Sequence, residues 1–181
     1  QGLKTSGPPV VWKSKDFVHW SFDGTYFPSA AKEKYWAPSK AIFANGKYYI
    51  YPTINGYMYP AVADKPEGPF KIDHIQKTLP IQNDVTGDQT LFQDDNGKAY
   101  IICSSANGRA YQYVIPLRES DFLDIDEENI KMLFYDEDGS YIDENGEVDK
   151  KDKTGIEGNC MFKYNGNYYY TGSDLYGWNS S

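Results

Sequence analysis

Short apolar runs and polar turns alternate along the whole chain. The runs are rich in Tyr, Ile and Val, and the segments between them are rich in Gly, Pro, Asn and Asp. This alternation is typical of short β-strands joined by tight turns. Helical periodicity is weak throughout, and the best helical candidate, around residues 118–129, is interpreted as a loop or a single turn. The pattern therefore predicts an all-β chain.

An internal repeat built on Asn-Gly pairs organises these predicted strands. Related segments occur at residues 45–51, 96–102 and 165–171, and each begins with Asn-Gly and continues as a strand that contains Tyr. Asn-Gly is the strongest short signal for a hairpin between two antiparallel strands. The longer interval, between the second and third copies, contains the acidic segment 136–153, which is interpreted as an insertion.

Each full repeat provides four strands, which is the unit of a β-propeller blade. A closed propeller needs at least about four blades. The chain is therefore predicted to be part of one larger propeller domain, with about three blades' worth of four-stranded antiparallel sheets and with its start and end missing. The predicted parts are the outer half of blade 1 at 1–27, blade 2 at 35–73, blade 3 at 87–135 and the first half of blade 4 at 155–181.

The composition limits the classes of partner. The 181 residues are 40% hydrophobic and 24% charged, which excludes a disordered chain. No stretch approaches the roughly 18 apolar residues of a membrane span. The net charge of −8 and the lack of a basic stripe argue against nucleic-acid binding. An acidic chain with an aromatic share of 17% suits neutral polar ligands, so the expected partner is a sugar, with no nucleic acid and no membrane.

The chain has few of the residues that bind metals or act as nucleophiles. Cys103 and Cys160 are predicted to be buried thiols, with one disulfide as the alternative, and the only histidines are His19 and His74. The chain therefore has too few cysteines and histidines to favour a zinc site or a Ser-His-Asp triad. The acidic segment 136–147 lacks the Asp that opens an EF-hand loop and is interpreted as a solvated loop. No metal site and no cofactor are predicted.

The repeat points to two carboxylates. Positions at equal distance upstream of the three hairpin glycines hold Ala37, Asp88 and Glu157. Because the first strand of each blade lines the central axis, Asp88 and Glu157 are predicted to face one pocket from neighbouring blades. Glycosidic cleavage needs such a pair, one group to protonate the leaving oxygen and another to activate water or stabilise the transition state. The alternative is that both acids are solvated turn residues or cap backbone amides.

An aromatic residue lies beside the inert member of this register. Trp36 precedes Ala37 on the first strand of its blade, and its flat apolar face suits the C–H face of a sugar ring. Trp36 and Ala37 are therefore predicted to bind substrate, with a core Trp between blades as the alternative. Trp12 and Trp20, in the outer half blade, are predicted to lie in the core.

Five short stretches, in this order, resemble glycoside hydrolase family 43, the five-bladed β-propeller arabinofuranosidases, xylosidases and arabinanases. They cover nearly the whole chain and lie at residues 14–20, 36–38, 66–70, 92–100 and 157–159. The resemblance implies a five-bladed β-propeller, of which this chain is an incomplete part. The sequence departs from the family pattern beside both acids, where Gly87 and Gln89 flank Asp88 and where Asn159 follows Gly158.

The resemblance also implies roles for the acids. Members of the family invert the anomeric centre with a general-base Asp, a second Asp that tunes the pKa of the acid and orients it, and a general-acid Glu. By motif, Asp88 matches the second Asp and Glu157 matches the general acid. The base is expected on the inner strand of the first blade, before Gln1, so this segment alone is expected to be inactive. Asp16 is not a substitute, because its motif lies on the outer edge of that blade.

The sequence therefore predicts an inverting glycosidase that acts on arabinose- or xylose-containing oligosaccharides or polysaccharides. The alternative is a non-catalytic glycan-binding propeller that has lost the base, and a third option is a fructan-active five-bladed family, whose motifs are not found here. The family's structural calcium ion would bind outside this chain. A polysaccharide substrate suggests a secreted or periplasmic protein, of bacterial origin.

Overall fold

The computed structural model describes residues 9–25, 35–36, 40–55, 57–76, 86–105, 111–135, 141–142, 148–149 and 155–174. Within these residues the regular elements are antiparallel β-strands and one 3-10 turn, Glu127–Asn129. The all-β prediction is confirmed, and the stretch around 118–129 is a loop with a single turn, as predicted. No helix in these ranges is long and apolar enough to cross a membrane.

The chain divides into two compact units, Gln1–Lys77 and Thr78–Ser181. The strands of the first unit are β1 (Val10–Ser14), β2 (Trp20–Thr25), β3 (Tyr35–Trp36), β4 (Ile42–Ala44), β5 (Lys47–Ile50), β6 (Thr53–Ile54), β7 (Tyr57–Met58), β8 (Ala61–Ala63) and β9 (Lys71–Ile72). They form a two-stranded sheet β1-β2, a three-stranded sheet β3-β6-β7 and a four-stranded sheet β4-β5-β8-β9. Ile50, Ala61, Ala63 and Phe70 form a buried cluster on the four-stranded sheet.

The strands of the second unit are β10 (Thr86–Gln93), β11 (Ala99–Ser105), β12 (Tyr111–Pro116), β13 (Lys131–Tyr135), β14 (Tyr141–Ile142), β15 (Val148–Asp149), β16 (Ile156–Tyr164) and β17 (Asn167–Asp174). Strands β10 to β13 form a four-stranded sheet in chain order, and β14-β15 and β16-β17 are two-stranded. The four-stranded sheet carries buried apolar side chains, namely those of Leu91, Ile101, Ile102 and Ile115. The blade bounds predicted from the repeat stay a prediction.

The three predicted Asn-Gly hairpins form, but with two kinds of turn. Asn45-Gly46 and Asn165-Gly166 have positive φ at both residues, as a two-residue type I′ turn requires. In the middle copy only Gly97 has positive φ, and the amide of Gly97 donates to the carbonyl of Asp94 at 2.9 Å. This turn is one residue longer, so it follows the three-residue pattern of a type I turn and a left-handed glycine.

The prediction of two buried thiols is confirmed for Cys103 and wrong for Cys160. Cys103 is fully buried in the centre of β11, and burial raises the pKa of its thiol. Cys160 is exposed, because it shares a face of β16 with Phe162 and Tyr164, which are also exposed. Both cysteines are free thiols, so the alternative of a disulfide is wrong as well.

Trp12 and Trp20 are each about half exposed, so the prediction that they are core residues is wrong. Trp12 packs edge-on against Phe22 across the β1-β2 pair, with ring centroids 5.6 Å apart. The indole Nε1 of Trp20 donates to the carbonyl of Phe17 at 3.0 Å. Both indoles are therefore held by local contacts within a two-stranded sheet, which buries only part of each ring.

A charged cluster joins the turn of the β10-β11 hairpin to the β16-β17 hairpin. The buried Asp94 carboxylate accepts hydrogen bonds from Lys163 Nζ at 2.6 Å and from the Tyr168 hydroxyl at 2.5 Å. Lys163 Nζ also lies 3.1 Å from a carboxylate oxygen of Asp95. Lys163, and after it Tyr168, lower the pKa of Asp94 to about 2 from its ordinary value of 3.8. The two hairpins are thus tied together by a carboxylate that is stable in its charged form.

We expect Asp94→Asn to lower the stability of the protein near neutral pH, and the difference from wild type to vanish in acid. Because the folded state lowers the pKa of Asp94 to about 2, its contribution is complete well above 3.8 and is lost as the pH falls through about 2. Urea unfolding midpoints of both proteins, compared from about pH 7 down to about pH 2, measure this. Asp95→Asn, which changes an exposed carboxylate beside the same lysine, is the matched control and is expected to have a small effect. A difference for Asp94→Asn that persists unchanged in acid would contradict the prediction.

Candidate active site

Asp88 lies in a β-bulge of strand β10. Thr86 pairs with Ser105 and Gln89 pairs with Cys103, so Gly87 and Asp88 together face the single residue Ser104. A bulge of this kind bends its strand and turns a side chain away from the regular alternation. The Asp88 residue is half-buried. The predicted acid is thus set by a backbone irregularity rather than by the regular pleat.

Glu157 borders a second β-bulge, on strand β16. Glu157 pairs with Ser173 and Cys160 pairs with Thr171, so the two residues between them, Gly158 and Asn159, face a single residue of β17. Gly158 has a φ of 65°, in the left-handed region that favours glycine. Glu157 is half-buried like Asp88. Both predicted acids therefore lie at bulges, which often occur next to active sites.

The residue opposite the second bulge has to be a glycine. A Cβ on Gly172 would lie 2.3 Å from Cγ2 of Ile156 and 3.2 Å from the carbonyl oxygen of Glu157. A side chain at this position would force Ile156 to shift and would press on the backbone at Glu157. An isolated glycine inside a strand is a sequence signal for such a close approach, and the Gly172 signal was missed.

The structure brings Asp88 to the segment that carries Glu157. Oδ2 of Asp88 accepts a hydrogen bond from the backbone amide of Gly158, with 3.0 Å between the two atoms. This contact crosses from one sheet to the next and fixes the Asp88 carboxylate beside the residue that follows Glu157. This contact supports the prediction that the two acids lie close together, whereas their roles in catalysis stay a prediction.

A buried polar cluster lies directly behind the same bulge. Gln112 of β12 is fully buried and Asn159 is 6% exposed. The amide Nδ2 of Asn159 donates to Oε1 of Gln112 at 2.6 Å and also to the Tyr170 hydroxyl. That hydroxyl donates to the same Oε1 of Gln112 at 2.6 Å. Burial raises the pKa of Tyr170 to about 12, so the hydroxyl stays protonated and can donate.

Gln112 and Tyr170 were not predicted from the sequence. Tyr170 follows two other tyrosines in β17, so the residue pattern does not set it apart, and Gln112 is a single polar residue between Tyr111 and Tyr113 in β12, which alone does not indicate a role. Their common feature, a hydrogen-bonded contact between two sheets, depends on positions far apart in the chain.

The two predicted sugar-binding residues lie in the first unit. Trp36 is on β3 and pairs with Thr53, and its side chain is outside the part of the chain that the structure describes. Ala37 also lies outside the described residues. Their contact with substrate therefore stays a prediction. Within the ranges given above, no group of three or more His, Cys, Asp or Glu residues is placed to hold a metal ion.

The side chain of Asp16 forms hydrogen bonds within its own turn. Its carboxylate accepts hydrogen bonds from the backbone amides of Val18 and His19 at 2.9 and 2.8 Å. The ring Nδ1 of His19 lies 2.7 Å from its second oxygen. These contacts, with the His19 ring first among them, lower the pKa of Asp16. The Asp16 carboxylate is thus bound within its own turn, and the expectation that it does not replace the general base stays a prediction.

Comparison with known proteins identifies the family. The family model described as Glycosyl hydrolases family 43 matches residues 7–176. The chain belongs to glycosyl hydrolase family 43. The resemblance stated from the five short stretches is thus confirmed.

Solved structures with the same fold include a glycoside hydrolase that is 53% identical, with a TM-score of 0.67 over 94% of this family 43 chain and 36% of its own length. An exo-β-1,3-galactanase from Clostridium thermocellum is 20% identical, with a TM-score of 0.72 over 94% of this chain and 37% of its own. An exo-β-1,3-galactanase from Phanerochaete chrysosporium, solved with galactose, is 19% identical, with a TM-score of 0.68 over 93% and 38%.

These matches confirm the predicted fold class, an incomplete β-propeller. The chain spans little more than a third of the length of the three structures. The comparison with curated proteins finds no match.

Proposed function

We propose that this family 43 chain carries the proton donor of an inverting glycosidase. In this proposal Glu157 protonates the glycosidic oxygen as the bond from that oxygen to the anomeric carbon breaks. A water molecule attacks the anomeric carbon from the opposite face and gives its proton to a general base. The base is supplied by the inner strand of the first blade. The observation that carries the proposal is the hydrogen bond from the Gly158 amide to the Asp88 carboxylate, beside Glu157.

Asp88 has two effects on Glu157 in this mechanism. Its carboxylate holds the Gly158 amide and so limits the movement of the residue before it. A carboxylate charge close to a second carboxyl group also favours the protonated form of that group. The protonated form is the one that a general acid needs at the start of the reaction. The two effects together favour Glu157 as the donor and Asp88 as its partner.

For the substrate, we propose a glycan with β-1,3-linked galactose as the first to test. The named activities of solved structures with this fold support it, since they include exo-β-1,3-galactanases and β-1,3-galactosidases. The arabinose or xylose specificity expected from the sequence has no such support and is the second candidate. We also propose that the protein acts outside the cytoplasm, secreted or periplasmic, because intact polysaccharides do not cross a membrane.

The proposal is tested with the full-length protein and a panel of substrates. The panel contains β-1,3-galactotriose, aryl β-galactosides, aryl α-arabinofuranosides and aryl β-xylosides. Proton NMR of the first product reports the anomeric configuration, and inversion of a β-galactoside yields the α-sugar first. Retention of configuration would exclude the mechanism. Binding of galactotriose by calorimetry without hydrolysis of any panel member would instead favour the non-catalytic glycan-binding propeller.

A further inference from the structure

We propose that Gln112 is a positioning residue for Glu157. Gln112 lies on β12, the third strand of one sheet, and Glu157 lies on β16 of the next. The inference rests on the proposed role of Glu157 as general acid. It assigns to a residue outside the predicted acid pair the task of holding the proton donor in place.

Gln112 contacts the residue before Glu157 and a residue that follows it. Nε2 of Gln112 donates to the carbonyl of Ile156, the residue before Glu157, at 3.3 Å. Oε1 of Gln112 accepts from Nδ2 of Asn159, two residues after Glu157, at 2.6 Å. One amide side chain thus contacts the backbone just before Glu157 and the side chain of a bulge residue just after it.

The remaining contacts around the bulge also restrict the movement of the segment that carries Glu157. Asp88 binds the Gly158 amide at 3.0 Å. The Tyr170 hydroxyl donates to Oε1 of Gln112 and fixes the orientation of that amide group. A side chain that is held through its backbone neighbours in this way has fewer positions open to it. Small displacements of an acid from its reacting oxygen are enough to lower a rate strongly.

Stability alone is a weak reason for these residue types at this place. Oδ1 of Asn159 is buried and has no hydrogen-bond partner among the residues that the structure describes. A buried polar atom without a partner lowers stability, and apolar side chains of the same shape would avoid this loss. The cluster does, however, fix the orientation of the groups that it joins, because each hydrogen bond requires a narrow range of distance and angle. Directional contacts are what a positioned proton donor needs.

The main test is Gln112→Leu in the full-length protein, which keeps the volume of the side chain and removes its polar contacts. The substrates are the phenyl and 2,4-dinitrophenyl glycosides of the sugar that wild type hydrolyses. Phenol needs a proton to leave, whereas dinitrophenolate leaves without one. We expect kcat for the phenyl glycoside to fall about 10- to 100-fold, with KM changed less than about twofold. For the dinitrophenyl glycoside we expect a loss of less than about threefold, since the acid is not needed there.

A second pair of variants serves if Gln112→Leu does not fold. Tyr170→Phe removes the hydroxyl that orients Gln112, and we expect a smaller selective loss, about three- to tenfold, on the phenyl glycoside alone. Tyr168→Phe is the matched control, because it lies on the same strand and removes a hydroxyl that binds Asp94 instead. We expect Tyr168→Phe to leave both rates unchanged.

The leaving-group comparison separates a positioning role from a structural one. Equal losses on both glycosides, or equal behaviour of Tyr170→Phe and Tyr168→Phe, would overturn the proposal for Gln112. The same assay of Glu157→Gln distinguishes the two proposals. If Glu157→Gln loses activity selectively on the phenyl glycoside and Gln112→Leu does not, only the role of Gln112 is refuted. If Glu157→Gln has no effect, the proposed function itself fails.

Discussion

Glu157→Gln in the full-length protein is expected to lower kcat for a phenyl glycoside by about 10²- to 10⁴-fold. Glutamine keeps the size of the side chain and its place beside the bulge, but it has no acidic proton to give to the leaving oxygen. KM should change little, because the substitution removes an interaction that is made mainly in the transition state. Steady-state kinetics with the phenyl and 2,4-dinitrophenyl glycosides measure the effect.

The loss should depend on the leaving group. Hydrolysis of the dinitrophenyl glycoside should be nearly preserved, since that leaving group departs without protonation. Glu119→Gln is the matched control, because Glu119 is an exposed acid that pairs with Lys98 at 3.1 Å in a turn of the same unit. It should behave as wild type in both assays. Undiminished hydrolysis of the phenyl glycoside by Glu157→Gln would remove Glu157 from the mechanism.

Asp88→Asn is expected to lower kcat for the phenyl glycoside about 10- to 100-fold. It is also expected to move the alkaline limb of the kcat/KM profile to lower pH. The asparagine oxygen can still accept the hydrogen bond from the Gly158 amide, so the substitution removes mainly the charge. In the proposed function the charge of Asp88 favours the protonated form of Glu157, so removal of this charge should move the alkaline limb of kcat/KM toward acid.

A further variant separates the charge of Asp88 from its hydrogen bond. Asp88→Ala removes both, so it should show the same pH shift and a larger loss in kcat than Asp88→Asn. Profiles of kcat/KM against pH for wild type and both variants provide the measurement. An alkaline limb that does not move in either variant would show that the Asp88 charge has no effect on the acid.

The repeat in the sequence was enough to place Asp88 and Glu157 at matching strand positions, because these positions follow from the hairpin glycines, whereas their catalytic roles stay a prediction. Gly97 and Gly166 mark the ends of β10 and β16, and counting back along each strand by the same amount leads to Asp88 and Glu157. The count reaches matching positions of the two ladders because the extra residue in the turn at Gly97 offsets the extra residue that the β16 bulge places between Glu157 and Gly166. The geometry of a hairpin is local, so a local pattern predicts it.

Contacts between sheets could not be predicted in the same way. Gln112 and Asn159 are distant in sequence, and their hydrogen bond depends on how two sheets meet. Burial was misjudged for the same reason at Cys160 and at the two Trp residues of β1 and β2. An apolar neighbourhood along the strand shows that a residue can be buried, but only the packing of the sheets decides which face is covered.

The identity of the sugar depends on groups that line the whole pocket. In the proposed function Asp88 and Glu157 carry the chemistry of cleavage, which is shared by enzymes that act on different sugars. The sequence predicted arabinose or xylose from the resemblance to a broad family, whereas solved structures with the same fold include galactan-degrading enzymes. The five short stretches were thus enough to predict the family, but they did not determine the sugar.

A double-mutant cycle of Asp88→Asn and Glu157→Gln, followed by kcat/KM for the phenyl glycoside, tests most directly whether the two carboxylates act as one unit. If Asp88 works through Glu157, its replacement should lower the rate by less than about threefold once Glu157 is already glutamine. A double variant whose loss equals the product of the two single losses would contradict this, because independent residues have additive free energies.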